Sequence, residues 1–159
     1  MVVDHKCTEL IKKLRECNYV EWHKSDGSID CITDLFWVYP MSIDLLKVFT
    51  NVLIIECTYK TNRYMYPLFE IVGVTSTELT FPVGFAFMNH EYKDNYTWAM
   101  ERLKNLMGPN TFLGLVVIDR ELALTNAIHK IFSTTTTLLL GDIYQKMCLL
   151  SVRNFFYRK

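Results

Sequence analysis

The chain has no excess charge of either sign. Its 159 residues carry 17 basic and 17 acidic side chains, a formal net charge of zero. A domain that grips nucleic acid by charge alone is strongly basic, so any such contact must come from a local patch or from another domain. Cysteine offers no framework either. Cys7, Cys17, Cys31, Cys57 and Cys148 are odd in number and lack CxxC spacing. With no N-terminal apolar leader, this reads as a reduced, intracellular compartment. No apolar run approaches the roughly 18 residues that a membrane span needs, so no membrane role is expected. No set of four Cys and His resembles a zinc site. His5, His23, His90 and His129 lie far apart and read as surface or internally satisfied side chains. Neither GxGxxG nor a P-loop lysine motif is present, which weakens a doubly wound nucleotide-binding fold.

Half the residues are hydrophobic and 14% are aromatic, a globular composition sufficient for one domain and one core. Thr8 to Tyr19 has helical spacing, with Leu10, Ile11, Leu14 and Cys17 on one side. A turn signal at Ser25-Asp26-Gly27-Ser28 precedes an extended stretch, Ile29 to Tyr39. Ser42 is placed to cap a helix running to about Phe49. Three strand-like segments follow, Val52–Cys57, Tyr66–Thr75 and Thr80–Met88, with short polar connections that suggest an antiparallel meander. The period then becomes helical, with Asp94 or Asn95 as cap and Gly108-Pro109 as stop. Phe112–Asp119 is a fourth strand, Glu121–Phe132 a helix, Thr134–Leu140 a fifth strand, and a last helix is expected from about Ile143.

From Val52 onward the order is β-β-β-α-β-α-β-α. That is the layout of an α/β, ribonuclease H-like domain. The expectation is a mixed five-stranded sheet, an antiparallel meander plus two parallel strands, flanked by helices and incomplete at its C-terminus. Residues 1–50 are read as a helical and extended lead-in, and 51–159 as the core.

Two β-branched runs end on an acid. Val52-Leu53-Ile54-Ile55 ends on Glu56, and Leu115-Val116-Val117-Ile118 ends on Asp119. In the expected topology the first and fourth strands are parallel neighbours, so the two carboxylates share one rim of the sheet. Clustered carboxylates can hold divalent metals for phosphodiester chemistry, one metal preparing the nucleophile and the other stabilising the leaving oxygen. Glu56 is one methylene longer than aspartate, and such sites tolerate only about 0.5 Å of looseness. Its bland reading is a solvent-facing strand end. Asp119 fits equally the cap of the helix that follows. Glu70 interrupts an apolar run and reads either as a supporting carboxylate beside Glu56 or as an exposed edge position. Lys60, Arg63 and Tyr64, with Arg120, form a basic cluster near the same rim, suited to phosphate contacts or to a solvated turn.

Four strings in order, Cys57-Thr58-Tyr59-Lys60-Thr61-Asn62-Arg63-Tyr64, Glu70-Ile71-Val72-Gly73-Val74-Thr75-Ser76, Asn95-Tyr96-Thr97-Trp98-Ala99 and Asp119-Arg120-Glu121-Leu122-Ala123-Leu124, closely resemble the transposase core of Mutator-like elements. They also resemble its domesticated plant relatives of the far-red-impaired-response type. Leu35-Phe36-Trp37 adds to this, and the likeness spans roughly Leu10 to Lys146.

The resemblance implies a nuclear, DNA-processing domain with an Asp-Asp-Glu triad and Mg²⁺ or Mn²⁺. The first acid maps to Glu56 and the second to Asp119, which become the expected catalytic and metal-binding residues. Lys60, Arg63 and Arg120 become the expected DNA contacts. The third acid falls beyond Lys159, as does the SWIM zinc finger of full-length relatives, and their zinc-dependent DNA-binding domain precedes the core. Leu140-Gly141-Asp142-Ile143-Tyr144-Gln145-Lys146-Met147 keeps little of the family's string beyond Lys146. The expectation is therefore a catalytically degenerate core fragment. Its rivals are an active nuclease that tolerates Glu56 and a transcriptional regulator that uses the core as an interaction platform. Leu149, Leu150, Val152, Phe155, Phe156 and Tyr157 add an apolar C-terminal helix suited to protein partners or self-association.

Overall fold

The β-branched run that ends at Glu56 forms a central strand of a seven-stranded mixed sheet. In the computed structural model, residues 4–27, 31–58, 66–119 and 121–139 are described. The elements are α1 (Asp4–Glu16), β1 (Val20–Asp26), β2 (Cys31–Val38), α2 (Pro40–Val48), β3 (Val52–Thr58), β4 (Leu68–Val74), β5 (Thr80–Phe87), α3 (Lys93–Met107), β6 (Leu115–Ile118), α4 (Leu122–Ile131) and β7 (Thr136–Leu139). Strand order across the sheet is β1-β2-β5-β4-β3-β6-β7. The run β3-β4-β5 is an antiparallel meander. Helices α3 and α4 are the crossovers that bring β6 parallel to β3 and β7 parallel to β6. No helix among the described residues is long and apolar enough to cross a membrane.

Strand alternation divides the side chains between two faces. Leu53, Ile55, Phe69, Ile71, Val116 and Ile118 are buried on one face. There α2, α3 and α4 cover them with Leu46, Met100, Leu103, Leu124 and Ile128. Full burial of one such side chain contributes roughly 1.5–3 kcal/mol, so this face dominates the stability. On the other face α1 places Ile11 and Leu14 against Leu35, with Tyr19, Ile32 and Trp37 alongside. Gly114 leads into β6 where a side chain has no room. A Cβ there would lie 2.9 Å from the Asn51 carbonyl oxygen, which already accepts the Leu115 N–H at 2.8 Å.

Among the described residues seven strands, not the expected five, make up the sheet. The two additional strands, β1 and β2, form a hairpin that joins the sheet through β2–β5 pairing. Ile29–Tyr39 shows its extended character in the sequence, but Val20–Asp26 does not. β1 is an edge strand whose intervening positions, Glu21, His23 and Ser25, are polar, so Trp22 is the large apolar residue packed on the main core. Two helix starts also differ from the sequence reading. α2 begins at Pro40 after an N-cap at Tyr39, because proline suits the first helical turn, and Ser42 is buried within the helix. α3 is capped at Tyr92 with no side-chain cap bond. Asn95 does not cap because its amide donates to the buried Asp34 Oδ1 at 2.7 Å. The helix expected from Ile143 lies outside the described residues.

Asp34, 3% exposed, is a tie point. It also accepts the Asn89 N–H at 3.3 Å and the Thr33 hydroxyl at 3.0 Å, joining β2 to the start of α3. Removing the carboxylate leaves three part-buried hydrogen bonds unmade, each worth roughly 0.5–1.5 kcal/mol net. Asp34→Ala is therefore expected to lower the unfolding free energy by about 2–3 kcal/mol in urea titration. An unchanged midpoint would refute the role.

Candidate functional site

Parallel pairing of β3 with β6 ends with Ile55 opposite Ile118. The next residues outward on the two strands are Glu56 and Asp119, so both acids stand at one rim on neighbouring strands. Such strands lie roughly 4.8 Å apart. Ile55 faces the helices, so Glu56 belongs to the opposite face. There it stands directly across from Glu70, which is across from Phe85, itself across from Trp37 and then Glu21. A single row thus crosses five strands and ends with Glu56 opposite Glu70. β4 lies between β3 and β5, so Glu70 occupies an interior strand and the exposed-edge reading fails. Asp119 is exposed, and the N-cap of α4 is Glu121 rather than Asp119.

Behind the same rim, on the helix face, lies a polar group that the sequence reading did not assemble. Cys57 follows Glu56 and therefore points to the opposite side of the sheet. Its thiol lies in hydrogen-bonding reach of Tyr96 and Glu91. Tyr96 is fully buried on α3 and donates its hydroxyl to Glu121 Oε2 at 2.7 Å. The Glu121 N–H in turn donates to the Asp119 carbonyl at 2.7 Å, so a rigid helix is linked to the loop that carries Asp119. A cavity of about 160 Å³, lined by Ile55, Cys57, Asp119, Glu121 and Leu124, opens here.

Protons are held tightly in this group. Burial, reinforced by Glu91, pushes the Cys57 thiol far above its ordinary value, although the Tyr96 hydrogen bond opposes the shift. Burial first, then Cys57 and Glu121, push Tyr96 upward as well. Burial also raises Glu121, helped by Glu91 and Asp119 and opposed by the Tyr96 hydrogen bond. The visible signals were Tyr96 among the apolar residues of α3 and Glu121 just before a helix. Neither said that the two side chains meet.

Of the basic residues named from the sequence, Lys60, Arg63 and Arg120, with Tyr64, lie outside the described residues. No group of three or more His, Cys, Asp or Glu among the described residues could hold a metal.

Residues 52–153 match the MULE transposase domain family. A PKS-NRPS hybrid synthetase cheA from Chaetomium globosum is 24% identical over 135 residues. That alignment takes in 84% of this chain and 3% of that protein, so the chain spans only a small part of this relative's length. Among solved structures, a chain of the simian T-cell lymphotropic virus intasome in complex with PP2A regulatory subunit B56 gamma superposes with a TM-score of 0.41 at 10% identity. That match covers 69% of this chain and 41% of the other.

A raised Glu121 binds its proton more tightly in the folded state, so its contribution to stability is fully present below the ordinary value of 4.5. That contribution is lost as pH rises through the folded value. Ionised Glu121 thus costs stability at neutral pH. Glu121→Gln, which can still accept the Tyr96 hydrogen bond, is expected to be more stable than the parent in urea at pH 7. The difference should close as pH falls towards 4.5. A variant less stable at pH 7 would contradict the raised carboxyl.

Proposed function

Because the chain belongs to the MULE transposase domain family, we propose that it is a DNA strand-cleavage and strand-transfer core whose own catalytic centre is degenerate. The observation that carries this reading is the β3–β6 register, which sets Glu56 and Asp119 side by side at one rim. The order β5-β4-β3-β6-β7, with β6 and β7 parallel to β3, supports a ribonuclease H-like core to which β1 and β2 are added. Asp119 stands for the second acid of the family's triad and Glu56 for the first.

In such a centre a divalent metal supplies a deprotonated nucleophile and charge on the leaving oxygen. Two strand-end acids do not complete that donor set, and no transfer step follows from them alone. The chain's own contribution is positional. β3 and β6 fix two carboxylates, and Tyr96 with Glu121 restrains the Asp119 loop. Lys60, Arg63 and Arg120 are assigned to the phosphates of the DNA strand, which such contacts position without reading its sequence.

An assay of plasmid nicking and strand transfer in Mn²⁺ tests the reading, together with Mn²⁺ calorimetry. The parent chain is expected to show no turnover and weak Mn²⁺ binding that disappears in Asp119→Ala. Shortening the first arm, Glu56→Asp, should tighten Mn²⁺ binding by roughly 10–100-fold, the range in which metal sites respond to ligand placement. Parent turnover abolished by Asp119→Ala would overturn the degenerate reading. Mn²⁺ binding indifferent to both substitutions would overturn the acid pair.

A further inference from the structure

At the opposite edge of the sheet, β1 and α3 enclose a second cleft, of about 320 Å³, lined by Glu21, Trp22, His23, Trp98 and Arg102. Three strands, β2, β5 and β4, separate β1 from β3. That is four spacings of roughly 4.8 Å, on the order of 19 Å from the acid rim. The cleft combines aromatic walls with two basic side chains. The Lys24 ammonium lies 4.9 Å from the centre of the Trp98 ring, and the Arg102 guanidinium lies 5.7 Å from the same ring.

The carboxylates nearby already have partners: Asp34, opposite Lys24 on β2, accepts from Thr33, Asn89 and Asn95. Glu21 accepts Arg15 at 2.9 and 2.5 Å and contacts His23 Nδ1 at 3.0 Å. Glu101 stands 4.0 Å from an Arg102 terminal nitrogen, with its side chain 47% exposed, an arrangement that contributes little. The Arg102 Nε is buried and has no hydrogen-bond partner among the described residues. A buried guanidinium N–H without an acceptor is costly, while the Arg102 side chain as a whole keeps 29% exposure.

We propose that this cleft is a binding subsite for a phosphate ester. Arg102 donates to the phosphate oxygens, Lys24 supplies a second charge, and a flat ring attached to the phosphate lies against the indole wall. Charge-assisted bonds from arginine to phosphate are the strong, geometrically defined kind. The volume lies at the small end of ordinary ligand sites and admits a nucleotide-sized group. A free nucleotide and one residue of a single strand present the same chemistry, and an aromatic platform beside basic groups serves either. The assignment stands apart from the acid rim and does not rest on the transposase reading.

Trp22 and Trp98 make the site reportable by intrinsic fluorescence. The chain is titrated with inorganic phosphate, adenosine monophosphate and a ten-nucleotide oligothymidylate, and then again as Arg102→Gln and Lys24→Gln. Saturable quenching by at least one probe is expected, with affinity reduced about tenfold or more in Arg102→Gln while its urea midpoint stays in place. Should Arg102→Gln not fold, the same loss is read in Lys24→Gln, whose side chain lies on the edge strand. The rank of the three probes separates a free phosphate or nucleotide from a strand. Absence of quenching by all three at millimolar concentration, or parental affinity in both variants, would overturn the proposal.

Discussion

Parallel pairing between Val52–Ile55 and Leu115–Ile118 sets almost everything else in place. Parallel strands cannot be joined by a tight turn and need a crossover, so this pairing requires α3 to span from the edge of the meander back over its face. It requires Gly114, because a side chain there would press on the Asn51 carbonyl that receives the first cross-strand N–H. It also decides which two residues emerge together at the rim. Shifting the register by one residue would set Glu56 and Asp119 out of step at the rim. The buried residues on either side, Leu53 and Ile55 with Val116 and Ile118, make such a slip costly because it would expose the whole core-facing set.

Helix α3 is the second organiser, and it works through consecutive residues. Asn95, Trp98 and Arg102 are spaced by three and four and share one side. They reach Asp34, Lys24 and the β1 cleft. Tyr96, Ala99, Met100 and Leu103 turn towards the sheet, where Tyr96 finds Glu121. One crossover helix therefore ties the added hairpin to the core on one side and the Asp119 loop on the other. This gives a physical reason for the string from Asn95 to Ala99 to hold polar and aromatic residues in alternation. Each is committed to a different partner.

What the sequence disclosed follows the strength of its local signals. The β-branched runs before Glu56 and Asp119 identify the two strands, and the change from alternation to helical spacing after Met88 marks the crossover. Together these yield the topology from Val52 onward. Strand β1 was hidden because an edge position needs few apolar residues, and its polar alternation resembles a loop. Ser42 and Asn95 were misread for one reason. Both are good capping residues, yet tertiary demands placed the helix start elsewhere, at Pro40 in one case and behind the Asp34 bond in the other. Glu70 admits an edge reading as well as a supporting one because nothing local reveals that β5 pairs on its far side. The Tyr96–Glu121 contact joins positions 25 residues apart, and no periodicity within either segment encodes it.

Arm length at position 56 has more consequence in this fold than it would on a loop. Glu56 lies inside regular β3, paired with Glu70 on one side and one step beyond the Ile55–Ile118 pair on the other. Its Cα cannot retreat without breaking the ladder on both sides. The additional methylene, roughly one carbon–carbon bond of 1.5 Å, must therefore appear at the carboxylate itself, against a tolerance of about 0.5 Å for a catalytic constellation. A bent rotamer could recover part of the reach, at the cost of ordering one more torsion, and would bring the carboxylate back towards the row that holds Glu70. Asp119 has no such conflict, since it follows the last paired residue of β6 and its loop is held from behind by Glu121. The rigidity that places the pair also prevents the longer member from adapting, which is the physical ground for the proposal of a degenerate centre.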